Sequence, residues 1–156
     1  AISRVGVIAK AQERLRAADR GGLVEMAGYL ETLCGGLGDV LRDIRPIAVR
    51  VRSERIDLSS DQAVAVGLIV NELVTNAFKY AFPHDGGGAV DVELRRHGEA
   101  LELSVRDDGV GCPAEIGDGL GSRLVRLLAR QMDGEVTREP QAKGCLVRVR
   151  LEPKGA

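Results

Sequence analysis

The sequence predicts an α+β protein, a two-layer α/β sandwich with helices packed on one face of a mixed, mainly antiparallel sheet. Two observations lead there. Long stretches carry apolar residues at helical spacing, while shorter ones alternate apolar and polar residues. Turns bearing glycine or proline separate the two kinds.

The elements follow in order. Residues 2–18 read as an N-terminal helix from the stripe Val5, Ile8, Ala9, Gln12 and Leu15, ended by Asp19-Arg20-Gly21-Gly22. A second helix is expected over 23–42, with Met26, Leu30, Leu33, Leu37, Val40 and Leu41 mostly on one side, and Gly35-Gly36 weakens it and permits a kink. After Pro46, residues 47–51 alternate as a strand and 54–58 form a short second one. Ser59 with Gln62 three residues on makes a capping box, opening a long helix from 60 to 81 that stops before Pro83. Residues 89–95 and 101–105 form a hairpin around His97-Gly98-Glu99. A loop with five glycines over 107–121 leads into a helix over 122–132. Strands over 135–138 and 146–151 close the chain. Residues 1–20 are expected to be the C-terminal end of a separate helix, and residues 21–156 the main domain. Because the chain begins at Ala1 rather than Met, it is expected to be part of something larger.

Composition removes several function classes. Net charge is −1, so a nucleic-acid surface, which carries a basic excess, is not expected. Aromatic residues are 3% and Trp is absent, which argues against base-stacking platforms. No apolar run approaches the roughly 20 residues of a membrane span, so membrane contact is not expected either. Cys34, Cys112 and Cys145 lack zinc-ligand spacing, and their odd number fits a reducing, cytoplasmic compartment.

Three segments carry chemistry. The first is Asn71-Glu72-Leu73-Val74-Thr75-Asn76-Ala77-Phe78-Lys79-Tyr80, in which Glu72, Asn76, Lys79 and Tyr80 share one helix face. Charged and amide groups on an otherwise apolar helix are costly to bury without partners. The amide oxygen of Asn76 suits a hard cation such as Mg²⁺, Lys79 suits phosphate, and Glu72 suits a base or orienting role. The second is Asp107-Asp108-Gly109-Val110-Gly111, a strand-end carboxylate able to accept from an exocyclic amine, followed by glycines that permit close ligand approach. The third is Gly117-Asp118-Gly119-Leu120-Gly121-Ser122, which presents backbone amides at a helix N-terminus, an anion site. Each segment alone reads as a turn or a solvated face; their order carries the inference.

That order resembles the Bergerat-fold ATPases, the group of gyrase, Hsp90, MutL and histidine kinases. Within it the chain is most similar to the catalytic domain of sensor histidine kinases of the HisKA type 2 branch, related to the HWE kinases. Residues 67–83 resemble its N-box, 107–111 its G1 box and 119–121 its G2 box. The resemblance covers roughly residues 21–152 and implies ATP and Mg²⁺ as ligands. It implies that Asn76 ligates Mg²⁺ and that Asp107 binds the adenine amine. Gly109 and Gly111 would shape the adenine side, while Gly119, Leu120, Gly121 and Ser122 wrap the phosphates. Lys79 would touch phosphate, Tyr80 line the pocket, and Glu72 act with Asn76 in catalysis. Residues 112–118 would be a short lid that favours transfer over hydrolysis.

Two departures stand out. Gly144-Cys145 occupies the place of the family's Gly-Thr, and a thiol is a weaker hydrogen-bond partner. His84 and His97 both fall in loops, so neither resembles a phosphoacceptor, which is expected upstream of Ala1. The implied partners are the dimerisation and phosphoacceptor domain of the same protein, a response regulator, and a second copy in a full-length homodimer. The alternatives are an anti-sigma-factor serine kinase of the same fold, a degenerate scaffold protein that no longer binds ATP, and a gyrase-like or MutL-like ATPase.

Overall fold

A computed structural model of the chain describes residues 22–42, 46–82, 87–111 and 120–153. The expected helix over 2–18, His84 and the expected lid over 112–118 lie outside these residues, as do Cys112 and Gly119.

Among the described residues, three helices cover one face of a five-stranded sheet. They are α1 (Met26–Arg42), α2 (Ser60–Tyr80) and α3 (Leu120–Gln131). The strands are β2 (Ile47–Ser53), β4 (Gly88–His97), β5 (Ala100–Asp107), β6 (Glu135–Pro140) and β7 (Cys145–Leu151), in the order β2-β4-β5-β7-β6. The β2–β4 pair is parallel and the other pairs are antiparallel, so the sheet is mixed and mainly antiparallel, as the alternation predicts. A two-stranded ribbon of β1 (Val24–Glu25) and β3 (Asp57–Leu58) lies apart from it.

That ribbon corrects the start of the second helix. Glu25 pairs with Asp57, and its carboxylate then accepts from the N–H groups of Ala27 (2.6 Å) and Gly28 (3.1 Å). Two otherwise unpaired N–H groups are capped this way, so α1 begins at Met26 rather than at residue 23. Helix α1 runs unbroken through Gly35-Gly36 on a buried stripe of Met26, Leu30, Leu33, Leu37 and Leu41. The capping box of α2 forms as expected: Ser59 accepts from the Gln62 N–H, and the Gln62 side chain accepts from the Ser59 N–H.

Alternation places Val90, Val92, Leu94, Leu101, Leu103, Val105, Val149 and Leu151 against the helices, all buried. The opposite face carries the charged residues of the same strands. Two polar side chains are buried among the described residues, Asn71 on α2 and Asp107 at the end of β5. No helix among the described residues is long and apolar enough to cross a membrane.

Candidate functional site

A cavity of about 340 Å³ opens between α2 and the inner face of the sheet. Leu73, Asn76 and Ala77 of α2, with its C-cap Ala81, form one wall. Val105 and Asp107 of β5, Cys145 and Val147 of β7, and Arg138 of β6 form the floor, and Gly111 closes one end. A smaller recess shares Leu73, Asn76, Arg138 and Val147 with it and reaches Ser122 and Val125 on α3.

The register explains the floor. Asp107 lies opposite Cys145, and Val105 opposite Val147, which in turn faces Arg138. Asp107 is therefore the last inward-facing residue of β5, where an apolar residue would continue the core. Its Oδ1 accepts from the Gly109 N–H (3.0 Å), and the Cys145 N–H also donates to the carboxylate. Burial pushes its carboxyl above the usual aspartate range, and these two N–H groups only partly offset that. A desolvated carboxylate held by backbone donors keeps acceptor capacity turned into the cavity.

The glycines after Asp107 are sterically required. A Cβ at Gly109 would lie 2.1 Å from the Ala81 carbonyl oxygen. Gly111 has φ of 106°, in the left-handed region that favours glycine. The Val110 N–H donates to the same Ala81 oxygen at 2.9 Å, which ties this turn to the end of α2. The helix wall and the turn thus share one anchor.

Of the residues singled out from sequence, Asn76, Asp107 and Gly111 line the cavity, Gly109 shapes its rim, and Ser122 lines the recess. Leu120 and Gly121 begin α3. Tyr80 ends α2. Lys79 is exposed and Glu72 half-buried, and neither is in the lining. The helix geometry explains this: Leu73, Asn76, Ala77 and Ala81 follow i, i+3, i+4, i+8, which leaves positions 72 and 79 on the flank of that stripe.

Two features differ from the sequence reading. Cys145 is disulfide-bonded, so it is not the thiol expected in place of threonine; sequence spacing gives no sign of such a pairing. Cys34 is a free thiol buried within α1, pushed up to about 12 by desolvation, and is a core residue. Arg138 was missed altogether, although its parity with Val136 on one strand was a readable signal that it faces inward. Among the described residues no group of three or more His, Cys, Asp or Glu side chains is gathered to hold a metal.

A family model described as "Histidine kinase-, DNA gyrase B-, and HSP90-like ATPase" matches residues 61–155. Blue-light-activated histidine kinase 2 of Erythrobacter litoralis is 29% identical over 133 residues, 81% of this chain and 38% of that protein. Sensor histidine kinase PdtaS of Mycobacterium tuberculosis is 34% identical over 122 residues, 74% of this chain and 24% of that protein. The chain thus spans well under half the length of these relatives. The solved histidine kinase domain of the Erythrobacter litoralis EL346 blue-light activated histidine kinase superposes with a TM-score of 0.81 at 25% identity, covering 98% of this chain and 76% of that one. The chain belongs to the family of histidine kinase-, DNA gyrase B- and HSP90-like ATPases.

Proposed function

We propose that this chain is the ATP-binding catalytic part of a sensor histidine kinase. It binds Mg·ATP in the inner-face cavity and transfers the γ-phosphoryl group to a histidine supplied from outside these residues. The observation that carries this reading is the cavity itself, with a buried carboxylate and a helix amide on facing walls and a glycine turn at its end. The relatives matched over most of this chain are histidine kinases, which favours that reading over a serine kinase of the same fold.

Asp107 accepts from the exocyclic amine of adenine, and Val105, Val147 and Ala77 provide apolar surface for the base. Asn76 offers Mg²⁺ one amide oxygen. Asp107 is the one carboxylate among the described lining residues, so Asn76 would hold the ion through its amide oxygen. The ion would supply charge neutralisation on the phosphates. Ser122 and the first turn of α3, with Gly119, Leu120 and Gly121, hold the phosphates; Lys79 touches phosphate and Tyr80 is assigned to the pocket lining. An imidazole nitrogen of the acceptor attacks the γ-phosphorus, the bond to the β–γ bridging oxygen breaks, and ADP leaves. Glu72, one turn before Asn76, takes the imidazole proton. Residues 1–20 belong with a dimerisation and phosphoacceptor domain, the full-length protein is a cytoplasmic homodimer, and a response regulator receives the phosphoryl group.

Thermal unfolding with and without ATP and Mg²⁺ tests this. A specific ligand at about 100 times its Kd adds roughly 2.7 kcal/mol of stability. The expected result is a Mg-dependent rise in Tm with ATP that Asn76→Ala removes. No rise, or an unchanged rise in Asn76→Ala, would rule out the assignment.

A further inference from the structure

We infer that Arg138 is a nucleotide-binding residue of this chain, placing its guanidinium on the phosphate chain. This inference rests on the reading of the cavity as an ATP site. Along β6, Thr137 and Glu139 face away from the helices; the Glu139 carboxylate accepts from Arg148 Nε (3.2 Å) on the outer face of the sheet. Arg138 therefore faces inward, opposite Val147. It lines both the main cavity and the recess leading to α3.

A long cationic side chain normally threads its charge out to water or pairs it. Arg138 is half-buried, and among the described residues its charge is left unpaired. Its Nε is buried without a hydrogen-bond partner, and no ion pair involves it among the described residues. Asp107 lines the same cavity but is held by backbone N–H groups instead. The other polar groups around Arg138 are the Asn76 amide and the Ser122 hydroxyl, in the first turn of α3. The end of α3 adds a partial positive charge there. A region of unpaired donors and positive potential is complementary to an oxyanion. A guanidinium fork bonds phosphate oxygens two at a time, which an ammonium does not.

The test compares wild type, Asp107→Asn, Arg138→Met and Arg138→Lys, by competition of ATP and of adenosine against a fluorescent ATP analogue. Melting of each free protein reports folding. Arg138→Met keeps similar volume without charge and is expected to melt no lower than wild type. It should weaken ATP roughly 10- to 100-fold, the range of a charge-assisted hydrogen bond, and adenosine by no more than about twofold. Arg138→Lys should fall between. If Arg138→Met binds ATP as wild type does while Asp107→Asn does not, the inference fails and the ATP site stands. Equal loss of ATP and adenosine in a folded Arg138→Met would make Arg138 a contact to the base and overturn the phosphate role. If wild type binds neither ligand, the ATP site itself falls.

Discussion

The two faces of the five-stranded sheet use polar residues in opposite ways. The outer face bears the larger depression, about 590 Å³, lined by Arg50, Arg52, Asp91, Glu93, Arg95, Glu102, Arg106 and Arg148. Most of these charges are satisfied by one another. Arg50 is bidentate to Asp91 (2.7 and 3.0 Å), Arg95 pairs with Glu93, and Arg148 bridges Glu102 and Glu139. The inner face has very few polar groups, and they are arranged the other way. Asp107 is desolvated and turned to a cavity, and Arg138 has a buried nitrogen with no acceptor. Size and charge density therefore point to one face, and unmet bonding capacity to the other. A solvated face needs paired charges; a binding face keeps its partners for the ligand.

The comparison can be sharpened by substitution, beginning with the apolar frame of the inner face. Leu103→Ala empties a fully buried position on β5 and should cost about 2–5 kcal/mol in denaturant unfolding. Asp107→Asn should weaken ATP binding by about 1.5–3 kcal/mol, roughly 10- to 100-fold, in calorimetric titration. It should also raise the Tm of the nucleotide-free protein at neutral pH. The sign follows from the raised carboxyl: burial disfavours the charged form, so ionised Asp107 costs stability once pH has risen through its folded-state pKa, and the amide removes that cost. For the same reason ATP affinity should decline on acidification while pH is still above the ordinary aspartate value of 3.8, because the acceptor is lost at a higher pH than usual. A wild-type affinity flat down to that value would break this part of the account.

Smaller effects come from the edges. Ser59→Ala removes the capping box of α2 and should cost about 0.5–2 kcal/mol in unfolding, with nucleotide affinity nearly unchanged. Arg50→Ala breaks an exposed, solvent-screened pair on the outer face and should leave stability nearly unchanged and nucleotide affinity unaltered. A large loss of ATP binding in Arg50→Ala would reverse the assignment of the two faces.

Much of this was legible in the sequence because it is local. The Ser59–Gln62 box, the hairpin around Gly98 and the apolar parity of β4 and β5 depend on residues a few positions apart. Asp107 was legible because a carboxylate ends an alternating strand just before two glycines. What escaped depends on pairing across the chain. The start of α1 is set by Glu25 meeting Asp57, a partner over thirty residues away. The bonding state of Cys145 is likewise invisible to spacing. Arg138 was readable from its parity with Val136 on the expected strand, but what makes it matter, its place beside Asn76 and Asp107, comes from pairing across the chain. Lys79 shows the converse: sharing a helix face by count did not place it in the cavity, whose stripe runs through Leu73, Asn76 and Ala77.

The central claim is that nucleotide occupies the smaller inner cavity and leaves the larger outer groove empty. Backbone amide NMR shifts during titration with Mg·ATP test it most directly. The account predicts changes concentrated at Ala77, Asp107, Gly109, Gly111, Cys145 and Val147, with Arg50, Asp91 and Glu93 unmoved. Changes centred on Arg50, Asp91, Glu102 and Arg148, or none at saturating nucleotide, would contradict it.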